Sequence, residues 1–178
     1  IAHAQGSGRP RIAHVLGLFE PSHLKFEADR ASDPAGEPSL SEMTAVAIDV
    51  LARAPKGYFL LVEGGRIDHA HHAGNAYRAL GETIELSNAV RVARERTNPA
   101  ETLIVVTADH SHTLTISGYA KRGNPILGLV VGSSGEAAAS NAPAKDLTGH
   151  PYTTLGYANG PGYAGASDVQ PEGAKILS

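Results

Sequence analysis

Two short, continuously apolar runs, 58–62 (YFLLV) and 102–107 (TLIVVT), constrain the fold more than any other feature of the chain. Each is bounded by turn residues, the pattern of a strand covered on both faces. Between them, 76 to about 96 carries a mixed apolar and charged pattern anchored by Leu80, Ile84 and Val90. Asn98-Pro99 stops it, so a long helix is expected there. Strand, helix, strand in that order predicts a right-handed crossover in a parallel sheet. The expected fold class is α/β, with a central, largely parallel sheet flanked by helices.

Other elements follow from local signals. The run 12–19 (IAHVLGLF) reads as a buried strand, and Asp33-Pro34 and Glu37-Pro38 belong to the loop after it. Ser39 and Glu42 have capping-box spacing. Leu40, Met43, Ala47, Val50, Leu51 and Ala54 recur at helical intervals behind them, until Pro55 and Gly57 end the pattern. Further strands are expected at 125–131 (PILGLVV) and 152–158 (YTTLGYA), followed by a turn at Gly160-Pro161-Gly162. The small-residue stretch 132–143 (GSSGEAAASNAP) reads as an exposed loop.

A chain of 178 residues with 42% hydrophobic composition suits one compact unit, whole or part of a larger one. With a formal charge of −3 and a pI near 6.3 it has no broad positive field, which argues against nucleic acid or an anionic membrane as partner. No apolar run approaches the ~20 residues of a membrane helix, and no secretory signal opens the chain. There is no cysteine, so any metal must sit on nitrogen and oxygen.

Such ligands are concentrated in two places. The segment 62–72 (VEGGRIDHAHH) holds Glu63, Asp68, His69, His71 and His72. Asp68 and His72 are four apart, so a helix there puts both on one face, able to chelate one ion. Carboxylate with imidazole suits zinc. Gly64 and Gly65 permit a tight turn after Glu63. The second segment, 107–112 (TADHSH), brings Asp109, His110 and His112. Asp109 and His110 can share an ion only if the strand has broken into a loop, because strand neighbours point to opposite faces. A ring N–H of His112 is placed to orient a metal-bound carboxylate from behind. Glu63 and Asp109 each follow an expected strand end, where ligands bind in parallel sheets. The donors exceed the needs of one zinc, so more than one metal is implied. Paired metals clamp both oxygens of a phosphoryl displacement, which favours phosphate chemistry. The competing reading is a solvated polar loop.

The string GYFLLVEGGRIDHAHHAGNAYRALGETIELSNAVRVA, followed by TLIVVTADHSH, resembles the central motif pair of the alkaline phosphatases. The resemblance extends through HVLGLFEPSHLKFE upstream and through GYAKRGNPILGL and YTTLGYANGPGY downstream. It implies that the chain is the C-terminal part, 1–178, of a single alkaline-phosphatase domain whose parent hydrolyses phosphate monoesters through two zinc ions, one magnesium ion and a phosphoserine. Carried over residue by residue, Glu63 corresponds to a magnesium ligand, Asp68 and His72 to ligands of the first zinc, and Asp109 and His110 to ligands of the second. His112 corresponds to a histidine behind the first zinc site, and His69 and His71 to no ligand. Phe19, Glu20 and Glu37 correspond to a candidate calcium site of animal members. The resemblance further implies a homodimer in the periplasm or outside the cell.

The departures matter equally. No Asp-Ser-Ala nucleophile context occurs, and no histidine follows Gly162. The chain taken alone is therefore expected to be inactive. Ser111 is not taken as a replacement nucleophile, and His150 reads as an exposed loop residue. Two alternatives stand beside this reading: a non-catalytic metal-binding fragment, and a phosphodiesterase or phosphoglycerate-mutase relative, which would share the Asp-x-x-x-His and Asp-His elements without the Glu-Gly-Gly-Arg-Ile-Asp context.

Overall fold

The sharpest local signal in the sequence, Ser39 with Glu42, forms a full capping box in the computed structural model, which describes residues 14–159. The Ser39 hydroxyl accepts the Glu42 N–H at 3.2 Å and the Glu42 carboxylate accepts the Ser39 N–H at 2.8 Å. These bonds start helix α2 (Leu40–Leu51); a short helix α1 (Glu27–Arg30) precedes it. Such a cap contributes about 1 kcal/mol. Gly57 completes the exit from α2 with a φ of 80°, which favours a residue without Cβ.

The chain divides into two compact units, one of Ile1–Glu63 with Glu85–Ile104, the other of Gly64–Ile84 with Val105–Ser178. Helix α4 (Ala76–Arg96) gives its first part to the second unit and the remainder to the first. In the first unit, Glu85 on α4 accepts the Ser41 N–H at 2.9 Å and an Asn88 side-chain N–H at 2.9 Å, tying α4 to the first turn of α2. Ile48 and Ala89 are buried there, and an exposed Arg96–Asp49 ion pair spans the same two helices.

In the second unit, helix α3 (Arg66–His72) ends at Gly74, whose φ is 64°. The wholly buried Asn75 follows, and its side-chain oxygen accepts the Arg78 N–H at 2.9 Å, satisfying a first-turn donor of α4. Strands β1 (Leu114–Ile116) and β2 (Leu155–Tyr157) pair antiparallel, Leu114 opposite Tyr157 and Ile116 opposite Leu155. The Thr113 carbonyl accepts the Ala158 N–H at 2.9 Å and so extends the register by one bond. Val130 and Leu155 are buried in this part, and Gly118, at φ 93°, lies so close to Val130 that an added Cβ would meet its Cγ2 at 2.7 Å.

Several expectations are corrected. Residues 58–62 and 102–107 form no ladder, so the strand–helix–strand crossover is absent among the described residues. Phe59 and Leu103 are 87% and 88% exposed. A strand is completed by partners distant in sequence, and without them an apolar run keeps its side chains in solvent. The same holds for 14–19, the described part of the expected first strand, where Leu16 and Leu18 are exposed. Of 125–131 only isolated bridges at Leu129 and Val131 appear, and of 152–158 only β2 and a bridge at Thr153. The expected loop 132–143 contains helix α5 (Gly135–Ser140), consistent with its run of alanines and closed by Asn141 in the left-handed region at φ 55°. The expected turn at Gly160-Pro161-Gly162 lies outside the described residues.

Candidate metal centre

Helix α3 places Asp68 and His72 one turn apart, with His72 Nε2 at 3.4 Å from Asp68 Oδ2. The other carboxylate oxygen, Oδ1, is buried and has no hydrogen-bond partner. Two ring nitrogens face it from the loop after residue 107, His110 Nε2 at 3.9 Å and His112 Nε2 at 4.0 Å. The ligand atoms of Asp68, His72 and His112 all lie within 4.8 Å of one another.

Backbone partners distinguish the two loop histidines. His110 Nδ1 lies 2.8 Å from the Ser111 carbonyl, which only accepts, so Nδ1 carries the proton and the neutral ring offers its Nε2 lone pair to the carboxylate side. The Ser111 contact first, and then the Asp109 charge, hold the His110 pKa above its usual value. At His112 the relation is inverted. Its Nδ1 accepts the Thr113 N–H at 2.9 Å, so a neutral ring bears its proton on Nε2, facing Asp68. A lone pair at His110 Nε2 and a proton at His112 Nε2 thus face the Asp68 carboxylate in opposite senses.

Asp109 sits in the same loop with an exposed side chain, its Oδ2 at 3.5 Å from His110 Nε2. A bend at Asp109 breaks the extended run and allows these sequence neighbours to face each other. The donor set, carboxylate oxygens and imidazole nitrogens around a dry, unpartnered Oδ1, fits a zinc-like cation. The 3.4 Å between Asp68 Oδ2 and His72 Nε2 is within the span of one ion bonded on both sides at ~2.0–2.2 Å.

The remaining expected site residues stand in other surroundings of the chain, each within its own unit. Glu63 is exposed, in irregular backbone of the first unit. Phe19, Glu20 and Glu37 also belong to the first unit. Lys25 links the two carboxylates there, its ammonium 3.3 Å from Glu20 and its N–H 2.8 Å from Glu37 Oε2, while the buried Glu37 Oε1 has no partner. His150 is exposed in a turn held by Asp146, as its sequence context suggests. His69 meets Arg66 at 3.2 Å.

Two residues beside the cluster were not legible as parts of it. His71 stacks on His112 with ring centroids 5.2 Å apart and planes at 20°, and its Nδ1 meets the Tyr157 hydroxyl at 2.9 Å. Burial first, and then the neighbouring His112, push the His71 pKa down. Sequence spacing left His71 without a role, and only the pairing of β1 with β2 brings Tyr157 near.

Residues 4–176 match the family model described as alkaline phosphatase, and the chain belongs to that family, whose fold class is α/β. It is similar to the tissue-nonspecific alkaline phosphatase isozyme of Gallus gallus, at 51% identity over 153 residues, covering 86% of this chain and 27% of the relative. The isozymes of Rattus norvegicus and Homo sapiens are each 47% identical, over 154 and 152 residues, covering 86% and 85% of this chain and 27% and 26% of theirs. The chain therefore spans about a quarter of the length of these relatives. Among the described residues no helix is long and apolar enough to cross a membrane.

Proposed function

We propose that this chain is the C-terminal part of a single alkaline-phosphatase domain, and that the complete protein hydrolyses phosphate monoesters. The observation that supports this best is the buried, unpartnered Asp68 Oδ1 facing the ring nitrogens of His110 and His112, in a chain of this family. Asp68 and His72 would hold one zinc, Asp109 and His110 a second, and Glu63 a magnesium ion. Phe19, Glu20 and Glu37 would hold calcium. Bound metals would supply the positive charge that lowers a hydroxyl nucleophile's pKa and stabilises the leaving oxygen.

Within this reading the residues of the chain act by placement. Asp68 presents its dry oxygen, the Nε2–H of His112 faces that carboxylate at 4.0 Å, and the Ser111 carbonyl fixes His110 as an Nε2 ligand. The chain contains no serine in an Asp-Ser-Ala context, so the phosphoserine nucleophile would come from outside it. The exposed apolar runs 58–62 and 102–107 suit strands of a larger, central parallel sheet. A homodimer exported to the periplasm or beyond the cell completes the proposal.

The missing nucleophile favours one second reading, a metal-binding chain without catalysis. An aryl phosphate assay with zinc and magnesium tests the division. The intact chain alone is expected to show no turnover above a metal-only blank, and clear turnover would overturn the placement of the nucleophile. In the complete protein, a phosphomonoester activity that Asp68→Asn leaves unchanged would overturn the site. A preference for phosphodiesters would move the protein to the related diesterase class.

A further inference from the structure

We propose that Tyr157 is a positioning residue for the metal cluster, acting on Asp68 through His71 and His112. The inference rests on the reading of Asp68 and His72 as metal ligands.

A connected series of contacts supports it. Tyr157 Oη meets His71 Nδ1 at 2.9 Å, which fixes the rotation of the His71 ring. The His71 face stacks on His112 at 5.2 Å and 20°, and the His112 ring also meets His72 edge-on at 4.8 Å and 87°. His112 is held between these two rings, with Nδ1 pinned by the Thr113 N–H and Nε2 directed at Asp68. Tyr157 itself is placed by the ladder, directly opposite Leu114, two residues beyond His112. The strand that follows His112 and the strand that carries the phenol are thus one hydrogen-bonded unit. A ring packed against two neighbours and pinned at one nitrogen is restrained before any ion arrives. Groups that orient a ligand from behind in this way typically change metal affinity 10–100-fold when removed.

The test is titration of the intact, metal-free chain with Co²⁺ in place of zinc, read by visible ligand-field absorption. Asp68→Asn is expected to abolish the band, and a titration unchanged by that variant would remove the metal-ligand reading and this proposal together. With Asp68→Asn silent, Tyr157→Phe is expected to weaken Co²⁺ binding about tenfold. His71→Phe should match that loss, and the double variant should lose no more than His71→Phe alone, since both act through one contact. Binding by Tyr157→Phe within about twofold of the parent, or additive losses in the double variant, would overturn the proposal while leaving the ligands in place. If His71→Phe does not fold, the ¹⁵N resonances of the histidine rings decide. Tyr157→Phe should then shift both His71 and His112, and an unmoved His112 signal would sink the relay.

Discussion

At the scale of single residues, two histidines two positions apart take opposite orders of proton and lone pair. His110 donates from Nδ1 to a carbonyl, while His112 accepts at Nδ1 from an amide. Their substitutions should therefore differ in kind. A glutamine reaches roughly as far as Nε2 and keeps an N–H there, so His112→Gln should retain most of the zinc affinity that His112→Ala loses, about 10–100-fold. His110→Gln should bind zinc as poorly as His110→Ala, because an amide does not replace an imidazole ligand. Equilibrium dialysis against zinc measures all four, and equal losses for the two glutamine variants would contradict the assignment. The four-residue spacing of Asp68 and His72 was legible because helical periodicity is local. The different roles of His110 and His112 came from the family resemblance, but which ring nitrogen carries the proton was not legible, since it depends on whether a carbonyl or an amide faces Nδ1. His71 was hidden for the same reason, its partner lying on a strand far along the chain.

At the scale of elements, the two long helices were legible from their ends: the Ser39–Glu42 box and the Asn98-Pro99 stop. Of the expected strands only 152–158 holds one, β2, and the others form no ladder among the described residues. A continuous apolar run states that a segment wants cover, but its ladder is contributed by residues elsewhere. What the sequence could not indicate at all is Glu85, a buried carboxylate on α4 that holds the first turn of α2. Burial alone would raise its pKa, yet hydrogen bonds from Ser41, Asn88 and Ser39 outweigh this and hold it below the usual glutamate value. A folded-state pKa below the unfolded one gives stability that is present above the unfolded pKa and lost as pH falls through the folded one. Urea unfolding at successive pH values should therefore show stability falling on acidification below the ordinary glutamate range, with a shallower fall in Glu85→Gln. Parallel curves for the two would show that Glu85 contributes nothing to the acid sensitivity.

For the whole molecule, the balance between burial and exposure is the main constraint. Large side chains such as Phe59, Leu61, Leu103 and Val105 remain in solvent, so less apolar area is buried than the composition would permit. An ion bound to the folded cluster and not to the unfolded chain would then add to the stability. Zinc at about 100 times its dissociation constant should raise stability by about 2.7 kcal/mol and raise Tm, and a chelator should reverse the shift. A Tm unmoved by zinc would mean that the cluster is not a folded-state metal site. This scale was the least legible in the sequence, because composition counts apolar residues without saying what covers them.

The three-residue pairing of β1 with β2 also divides the chain into places where its length can and cannot change. Between the two strands runs a long connection that packs Gly118 against the buried Val130 but opens into an exposed stretch around α5, where added or deleted residues alter only the path of a loop. One residue inserted within Leu155–Tyr157 would instead exchange the two faces of the strand, and the phenol would be carried away from His71. Insertions and deletions accumulated by this chain during its divergence should accordingly gather in that exposed stretch and spare the ladder.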